Sequence, residues 1–338
     1  MQHRYFKIYK PYGYLSQFIT NERPRKKKKL LGELGDFPDE TMSVGRLDQD
    51  SEGLLFLTTD GKASAEVTGN KIEKEYYVQV DGQITIEAIK NCKNQGVNVI
   101  AIVEEANSKA AKISDSYLLL ETGKEISVAA TKTFSSTLII CLSLCIQIAN
   151  LLNINSNEIV KLLKAFATLN ENISKVLACC DYNYQDVSEY ILNSKNVFLI
   201  GKNLTYPIVR EGSLKFQEIS KINSNAFVEG ELKHGPNALL ERKSLVFSVI
   251  GPDDNIKKSI NTLREINSRN ADIITISFSA NDEIIELSKY NFLIESDNPY
   301  LFPILAVLPL QKLSFLSAVK SGLDPDRPKN LAKTVTVE

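Results

Sequence analysis

Four short stretches hold residue types that do chemistry. Glu211-Gly212-Ser213-Leu214-Lys215-Phe216-Gln217-Glu218 places Lys215 and Glu218 three residues apart, on neighbouring positions of one helix face. Glu229-Gly230-Glu231-Leu232-Lys233-His234-Gly235-Pro236 sets a histidine in a turn bounded by glycine and proline. Asn330-Leu331-Ala332-Lys333-Thr334-Val335 carries a lysine in a mostly uncharged tail. Val44-Gly45-Arg46-Leu47-Asp48-Gln49-Asp50-Ser51-Glu52-Gly53-Leu54-Leu55 packs acids between a glycine turn and an apolar run, and a lone carboxylate there can act as nucleophile or general base. Read singly, each has a plainer meaning: a surface ion pair, a turn histidine, a frayed tail and an aspartate capping a turn.

The elements that must position these residues change character near residue 85. Before it come short β-like runs at Arg4 to Tyr9, Gly53 to Thr58 and Glu75 to Val80, punctuated by Gly13, Gly61 and Asp81-Gly82. After it, short apolar strands alternate with helical patterns. The strands are read at Val97 to Val103, Tyr117 to Leu120, Val197 to Ile200, Leu245 to Ile250, Ile273 to Phe278 and Phe292 to Ile294. The helices are read at Glu87 to Lys93, Lys132 to Asn150, Asn157 to Leu177, Leu204 to Ile222, Asp254 to Ser268 and Pro303 to Lys320. Continuous apolar strands between amphipathic helices predict a parallel sheet covered on both faces.

Composition narrows the class. With 338 residues, 43% hydrophobic and 24% charged, the chain reads as two or three ordinary globular domains, at roughly 100–200 residues each. A net charge of −1 gives no global pull toward nucleic acid or anionic membrane, and Arg25 to Lys29 reads as a solvated loop. Two histidines argue against a multi-His metal site, so neither a metal nor another cofactor is expected. Five cysteines without a CxxC pair suit reduced thiols. The apolar stretch Thr137 to Ala149 is shorter than the roughly 20 residues of a bilayer span and reads as a buried core helix. With no secretory pattern at the start, a cytoplasmic location and no membrane partner are expected.

Residues 1 to about 84 resemble the amino-terminal part of the rRNA pseudouridine synthases that carry a Gly-Arg-Leu-Asp signature. The likeness rests on Lys10-Pro11-Tyr12-Gly13, Gly45-Arg46-Leu47-Asp48, Thr59-Asp60-Gly61 and Glu73-Lys74-Glu75-Tyr76-Tyr77-Val78. It implies that Asp48 attacks a flipped-out uridine, Arg46 helps hold the RNA open and Tyr76 stacks on the target base, with rRNA as partner. The family's later Gly-x-x-Arg-Gln-Ile-Arg-Arg motif has no counterpart after Gly82, so catalysis by this segment is not expected.

From Thr85 onward the sequence resembles the isomerase half of glutamine–fructose-6-phosphate transaminase, a pair of sugar-isomerase (SIS) subdomains. Glu125-Ile126-Ser127-Val128-Ala129-Ala130-Thr131-Lys132, the Lys-His-Gly-Pro turn and the Asn-Leu-Ala-Lys tail carry the match. By this resemblance Lys333 forms a Schiff base with the C2 ketone of fructose 6-phosphate, which requires its pKa to fall from about 10.4. Glu218 moves the proton between C1 and C2, Lys215 orients the sugar or balances the carboxylate, and His234 assists ring opening in the site of a neighbouring subunit. A homodimer is thereby implied. Thr85, Val128, Ala130 and Ala332 fall where the family contacts the sugar phosphate; Ala130 replaces a serine, at a cost of about 0.5–1.5 kcal/mol for one hydroxyl contact. The family's Ser-x-Ser-Gly-x-Thr phosphate loop is replaced by Tyr76-Tyr77-Val78-Gln79-Val80-Asp81-Gly82, and nothing in the 338 residues resembles the glutaminase domain.

The expected fold is α/β, with SIS-type doubly wound parallel sheets after an amino-terminal, mostly antiparallel α+β segment. The expected parts are a truncated pseudouridine synthase segment over 1–84, a partial first SIS subdomain over 85–178 and a second over 179–338. The leading function is sugar-phosphate ketose/aldose isomerisation, impaired by the missing phosphate loop. Uridine isomerisation in rRNA through Asp48 and a non-catalytic, sugar-phosphate-binding fusion product remain as alternatives.

Overall fold

The computed structural model describes residues 3–11, 13–19, 29–46, 53–68, 86–154, 156–178, 184–252, 255–296 and 298–331. The chain divides into two compact units, Met1–Gln83 and Ile84–Glu338.

The first unit is built on the alternation of its strands. β1 (Tyr5–Lys10), β2 (Tyr14–Leu15), β3 (Lys29–Leu30), β4 (Met42–Val44) and β5 (Gly53–Thr58) precede helix α1 (Gly61–Thr68). β1, β5 and β4 form an antiparallel sheet in that order, with Phe6 opposite Leu57 and Ile8 opposite Leu55. Every second residue faces the same side. Leu55 and Leu57 are buried with Leu31 against Phe6, Ile8, Phe18 and Phe37. The opposite face leaves Tyr5, Tyr9, Leu54 and Phe56 at least half exposed. Arg46 is exposed, one residue past the left-handed Gly45 (φ 82°). Asp48, Tyr76 and the strand expected at Glu75 to Val80 lie outside the described residues.

The second unit opens with α2 (Ile86–Asn94), β6 (Ile100–Val103), α3 (Lys109–Ile113) and β7 (Ser116–Leu119), whose two strands pair in parallel. Two long helices follow, α4 (Lys132–Leu151) and α5 (Asn157–Ala178), then α6 (Tyr184–Leu192). The remainder alternates: β8 (Asn196–Gly201), α7 (Tyr206–Glu218), β9 (Ser224–Val228), β10 (Ser244–Ile250), α8 (Ile256–Asn267), β11 (Asp272–Ser277), α9 (Asp282–Leu287), β12 (Tyr290–Leu293) and α10 (Phe302–Lys320). The five strands form one parallel sheet in the order β12-β11-β10-β8-β9.

This sheet is covered on both faces, as its nearly continuous apolar strands require. Leu245, Phe247 and Val249 of β10 join a core with α5, α6, α7 and α10, while Val246 and Ile250 join another with Ile260, Leu263 and Ile266 of α8. α10 is apolar nearly all round and lies in the larger core, as such a helix must. Leu162, Ala165, Leu169 and Val176 of α5 join the same core, where α5 packs against α10.

Two expectations are corrected here. The stretch Thr137 to Ala149 is not a buried core helix: in α4 only Ile146 is buried, and Ile148 is half exposed. One face, with Phe134, Leu138, Ile139 and Leu142, is partly buried against the larger core, while Cys141 and Cys145 stay exposed. Nor is the stretch short, since α4 runs 20 residues; by length and apolarity alone both α4 and the largely buried helical span Pro299–Lys320 would cross a membrane. β9 had no sequence signal, because it is an edge strand with mixed polarity, Ser-Asn-Ala-Phe-Val.

Helix α7 reaches α10 through a glycine. A Cβ on Gly212 would lie 2.5 Å from Leu310 Cδ1 and 3.1 Å from its Cβ, and Leu310 is fully buried. Alanine favours a helix over glycine by about 1 kcal/mol, but overpacking a closed core costs about 1–3 kcal/mol. Gly212→Ala is therefore expected to lose about 1–2 kcal/mol net, seen as a lower denaturation midpoint at unchanged m-value.

Candidate active site

α7 carries the central polar cluster. Glu211, Lys215 and Glu218 follow at spacings of four and three, so all three project from one face. Lys215 is only 2% exposed; its Nζ lies 2.6 Å from Glu218 Oε2 and 3.4 Å from Glu211 Oε1. An ammonium group buried this far needs compensating anions, and here it has two. The surface ion pair of the plainer reading is thus excluded. Glu211 is the more deeply held acid. Desolvation pushes its carboxyl above the ordinary value despite the attraction of Lys215, with Glu218 and Glu125 adding to the rise.

The second component is the loop between β7 and α4. Glu125 is buried and its carboxylate gathers the Thr131 and Lys132 backbone N–H groups and the hydroxyls of Thr131 and Thr133. These groups sit at the amino end of α4, where the helix leaves N–H donors unsatisfied. Burial alone would raise the Glu125 carboxyl, but this ring of donors outweighs it and holds the group below its ordinary value. The loop is tied to the chain beyond α10: the Ser127 hydroxyl donates to the Pro325 carbonyl (3.0 Å), and the Val128 N–H donates to the Asp326 carbonyl (3.4 Å). Ala129 packs with Ile219 and Ala318. Val128 and Ala130 flank Ala129, and Ile219 follows Glu218, so the loop and the α7 cluster border one another.

His234 stands apart. It ends a 3₁₀ turn, Glu229–His234, is exposed, and precedes Gly235 at φ 150°. Leu232 in the same turn belongs to the α8 side of the sheet, whereas α7 belongs to the other. No hydrogen bond or ion pair joins His234 to Lys215 or Glu218 among the described residues. The turn is fixed by a buried network instead: Lys202 Nζ lies 3.2 Å from Glu229 Oε2 and donates to Ser259 Oγ (2.9 Å), which donates to Glu229 (3.2 Å). Thr85, Ala332 and Lys333 lie outside the described residues.

The strand order reverses between β8 and β10, the place where open α/β sheets bind ligands beyond the strands' carboxyl ends. Among the described residues only a small pocket is seen there. Lys202, Thr205, Pro252 and Phe302 leave a void of about 10 Å³, no more than one water occupies. The polar cluster on α7 and the loop Glu125 to Thr131 are the better-equipped region.

Sequence reasoning singled out Lys215 and Glu218 but passed over Glu211 and Glu125. Both left a signal. Glu211 is four residues before Lys215 on its helix face, and Glu125 precedes a Thr-Lys-Thr helix start that needs an acceptor. Among the described residues, no cluster of three or more His, Cys, Asp or Glu could hold a metal ion.

Comparison with known proteins follows this division of labour. Residues 190–321 match the SIS domain family. A second family, RNA pseudouridylate synthase, matches residues 4–140, running past the division between the compact units. The chain is similar to glutamine--fructose-6-phosphate aminotransferases: 34% identity over 255 residues with that of Caldanaerobacter subterraneus, and 35% over 254 with that of Thermococcus kodakarensis. These alignments cover 75% of this chain and 42% of each relative, so the chain spans well under half the length of the relatives it matches. Among solved structures, the C-terminal domain of glucosamine-fructose-6-phosphate aminotransferase from Francisella tularensis aligns with TM-score 0.65 at 29% identity, covering 71% of this chain and 68% of that one. Glucosamine-6-phosphate deaminase from Thermotoga maritima aligns with TM-score 0.57 at 25% identity, covering 73% and 70%. The fold is therefore an SIS-type α/β architecture preceded by an antiparallel sheet, and the chain resembles two families in series.

Proposed function

We propose that the second unit is a sugar-phosphate ketose/aldose isomerase-type domain acting on fructose 6-phosphate in glucosamine 6-phosphate formation. The observation that carries this reading is the α7 cluster: a carboxylate 2.6 Å from a buried ammonium group, beside a loop pinned by Glu125. A partly exposed carboxylate in that position can accept a proton without leaving its place, which a base shuttling a proton between C1 and C2 must do. Lys333 supplies the amine that condenses with the C2 ketone, releasing water. Ammonia then displaces the lysine, Glu218 takes the C1 proton, and C2 is reprotonated as C1 becomes the aldehyde carbon. Lys215 balances the Glu218 charge. The exposed position of His234 suits service to a second copy of the chain, in a homodimer. With Thr85 as the single residue left of the phosphate loop, weak sugar-phosphate affinity and impaired turnover are expected.

The test is incubation of the protein with fructose 6-phosphate and ammonia, followed by borohydride reduction and peptide mass analysis. A reduced adduct on Lys333, absent in Lys333→Ala, is the expected result. Binding without an adduct would point to a non-catalytic sugar-phosphate module, and no binding at about 1 mM would sink the isomerase reading.

The match over residues 4–140 supports a second reading, uridine-to-pseudouridine isomerisation in rRNA through Asp48. Arg46 would help hold the RNA open and Tyr76 would stack on the target base. Tritium release from 5-labelled uridine that disappears in Asp48→Ala would support it; release unchanged by that substitution would exclude Asp48.

A further inference from the structure

At the opposite end of the five-stranded sheet from the carboxyl ends of its strands lies an open groove of about 930 Å³. It is lined where the chain enters the strands: by Asn193 and Ser194 after α6, Arg242 and Lys243 before β10, Asn267, Asn270 and Ala271 before β11, Asp272 at its start, and Lys289 before β12. Three cations face it against one carboxylate. That carboxylate, Asp272, is already engaged, accepting from the Tyr190 hydroxyl and lying 3.7 Å from Lys289 Nζ. Lys289 also sits over the Tyr190 ring, 3.9 Å from its centroid. The side chains of Arg242, Lys243, Asn267 and Asn270 have no hydrogen bond or ion pair to any described residue.

The two loops that present them are held in an uncommon backbone conformation. Lys243 has φ 73° and Asn270 has φ 58°, both left-handed and both lining this groove. Asparagine accepts that region readily, whereas lysine does so at some cost. The surrounding bonds fix the first loop: the Lys195 N–H donates to the Lys243 carbonyl (2.8 Å), and the Ser244 N–H donates to the Glu241 carbonyl (2.9 Å). The result is a rigid rim with uncompensated positive charge and free carboxamides. Its size is within the range of small-molecule sites and exceeds what a lone phosphate fills.

We propose that this groove is a second ligand site, for a small molecule of nucleotide size that carries a diphosphate. Arg242 and Lys243 take the diphosphate, the guanidinium by paired hydrogen bonds and the ammonium as a point charge. The carboxamides of Asn267 and Asn270 offer both donors and acceptors to the edge of a heterocyclic base. The site is separate from the α7 cluster and does not depend on the isomerase reading.

Titration calorimetry of the full chain with uridine diphosphate and adenosine diphosphate, at about 0.15 M salt, tests this. Saturable binding is expected, weakened about tenfold or more in the Arg242→Ala/Lys243→Ala double variant and in Arg242→Glu, with melting temperatures unchanged. Both residues are exposed, so the variants fold. Inorganic pyrophosphate is expected to compete, and fructose 6-phosphate is not. Absence of binding at about 1 mM, binding unaffected by the variants, or displacement by fructose 6-phosphate would each overturn the proposal.

Discussion

Glu218→Gln is expected to lower isomerase turnover by about 10²–10⁴-fold, the usual worth of a positioned general base, while leaving the borohydride-trapped adduct on Lys333 intact. Glutamine keeps the size of the side chain and an oxygen that can face Lys215. What it loses is basicity, since an amide does not take a proton from a carbon acid at neutral pH. Imine formation needs the lysine amine and the ketone, not the base at C1, so trapping and turnover should separate. The side chain of Glu218 is 22% exposed, so its replacement should not unfold the unit. Turnover that survives the substitution, or trapping that fails with it, would remove Glu218 from the proton-transfer role.

That separation also bears on how the site is assembled. Glu218 and Lys215 come from one helix and need only the i,i+3 spacing to meet, so their pairing was legible in the sequence. The loop that borders them was legible as a motif but not as a structure. Its attachment depends on Ser127 and Val128 reaching Pro325 and Asp326, about two hundred residues away in the chain. Local pattern cannot report such a contact.

Much of the fold followed from periodicity for a physical reason. β8, β10 and β11 are buried on both faces, so their runs are nearly continuous in apolar residues, broken only by the buried Ser248 and Thr275, and α8 shows one apolar face because only one side packs. The failures sit where packing departs from these rules. β9 is an edge strand with a polar composition, and α4 is apolar yet mostly uncovered. A sequence reports what a helix is able to bury; whether a partner is present depends on the rest of the chain. In α4 the apolar content exceeds what the larger core covers, and the match to the RNA pseudouridylate synthase family ends within this helix, at residue 140.

Lys215→Met is the substitution expected to cost the most stability, about 3–5 kcal/mol at neutral pH, because it strips a buried carboxylate of its cation. The sign follows from Glu211. Its folded-state pKa lies above the ordinary value of 4.5, so the native state holds its proton more tightly than the unfolded chain does. Stability from this group is fully present below pH 4.5 and is lost as pH rises through the folded value. In the wild type Lys215 opposes that rise. Without it the folded value climbs further, so the loss deepens and extends to higher pH. Denaturant unfolding of Lys215→Met should thus show a modest deficit near pH 4.5 and a much larger one at about pH 8. The double variant Glu211→Gln/Lys215→Met removes the titrating group along with the cation. It should recover most of the lost stability and flatten the pH dependence, a non-additivity expected of residues in direct contact. Equal deficits at both pH values, or no recovery in the double variant, would show that Lys215 acts by packing alone rather than by holding the Glu211 charge.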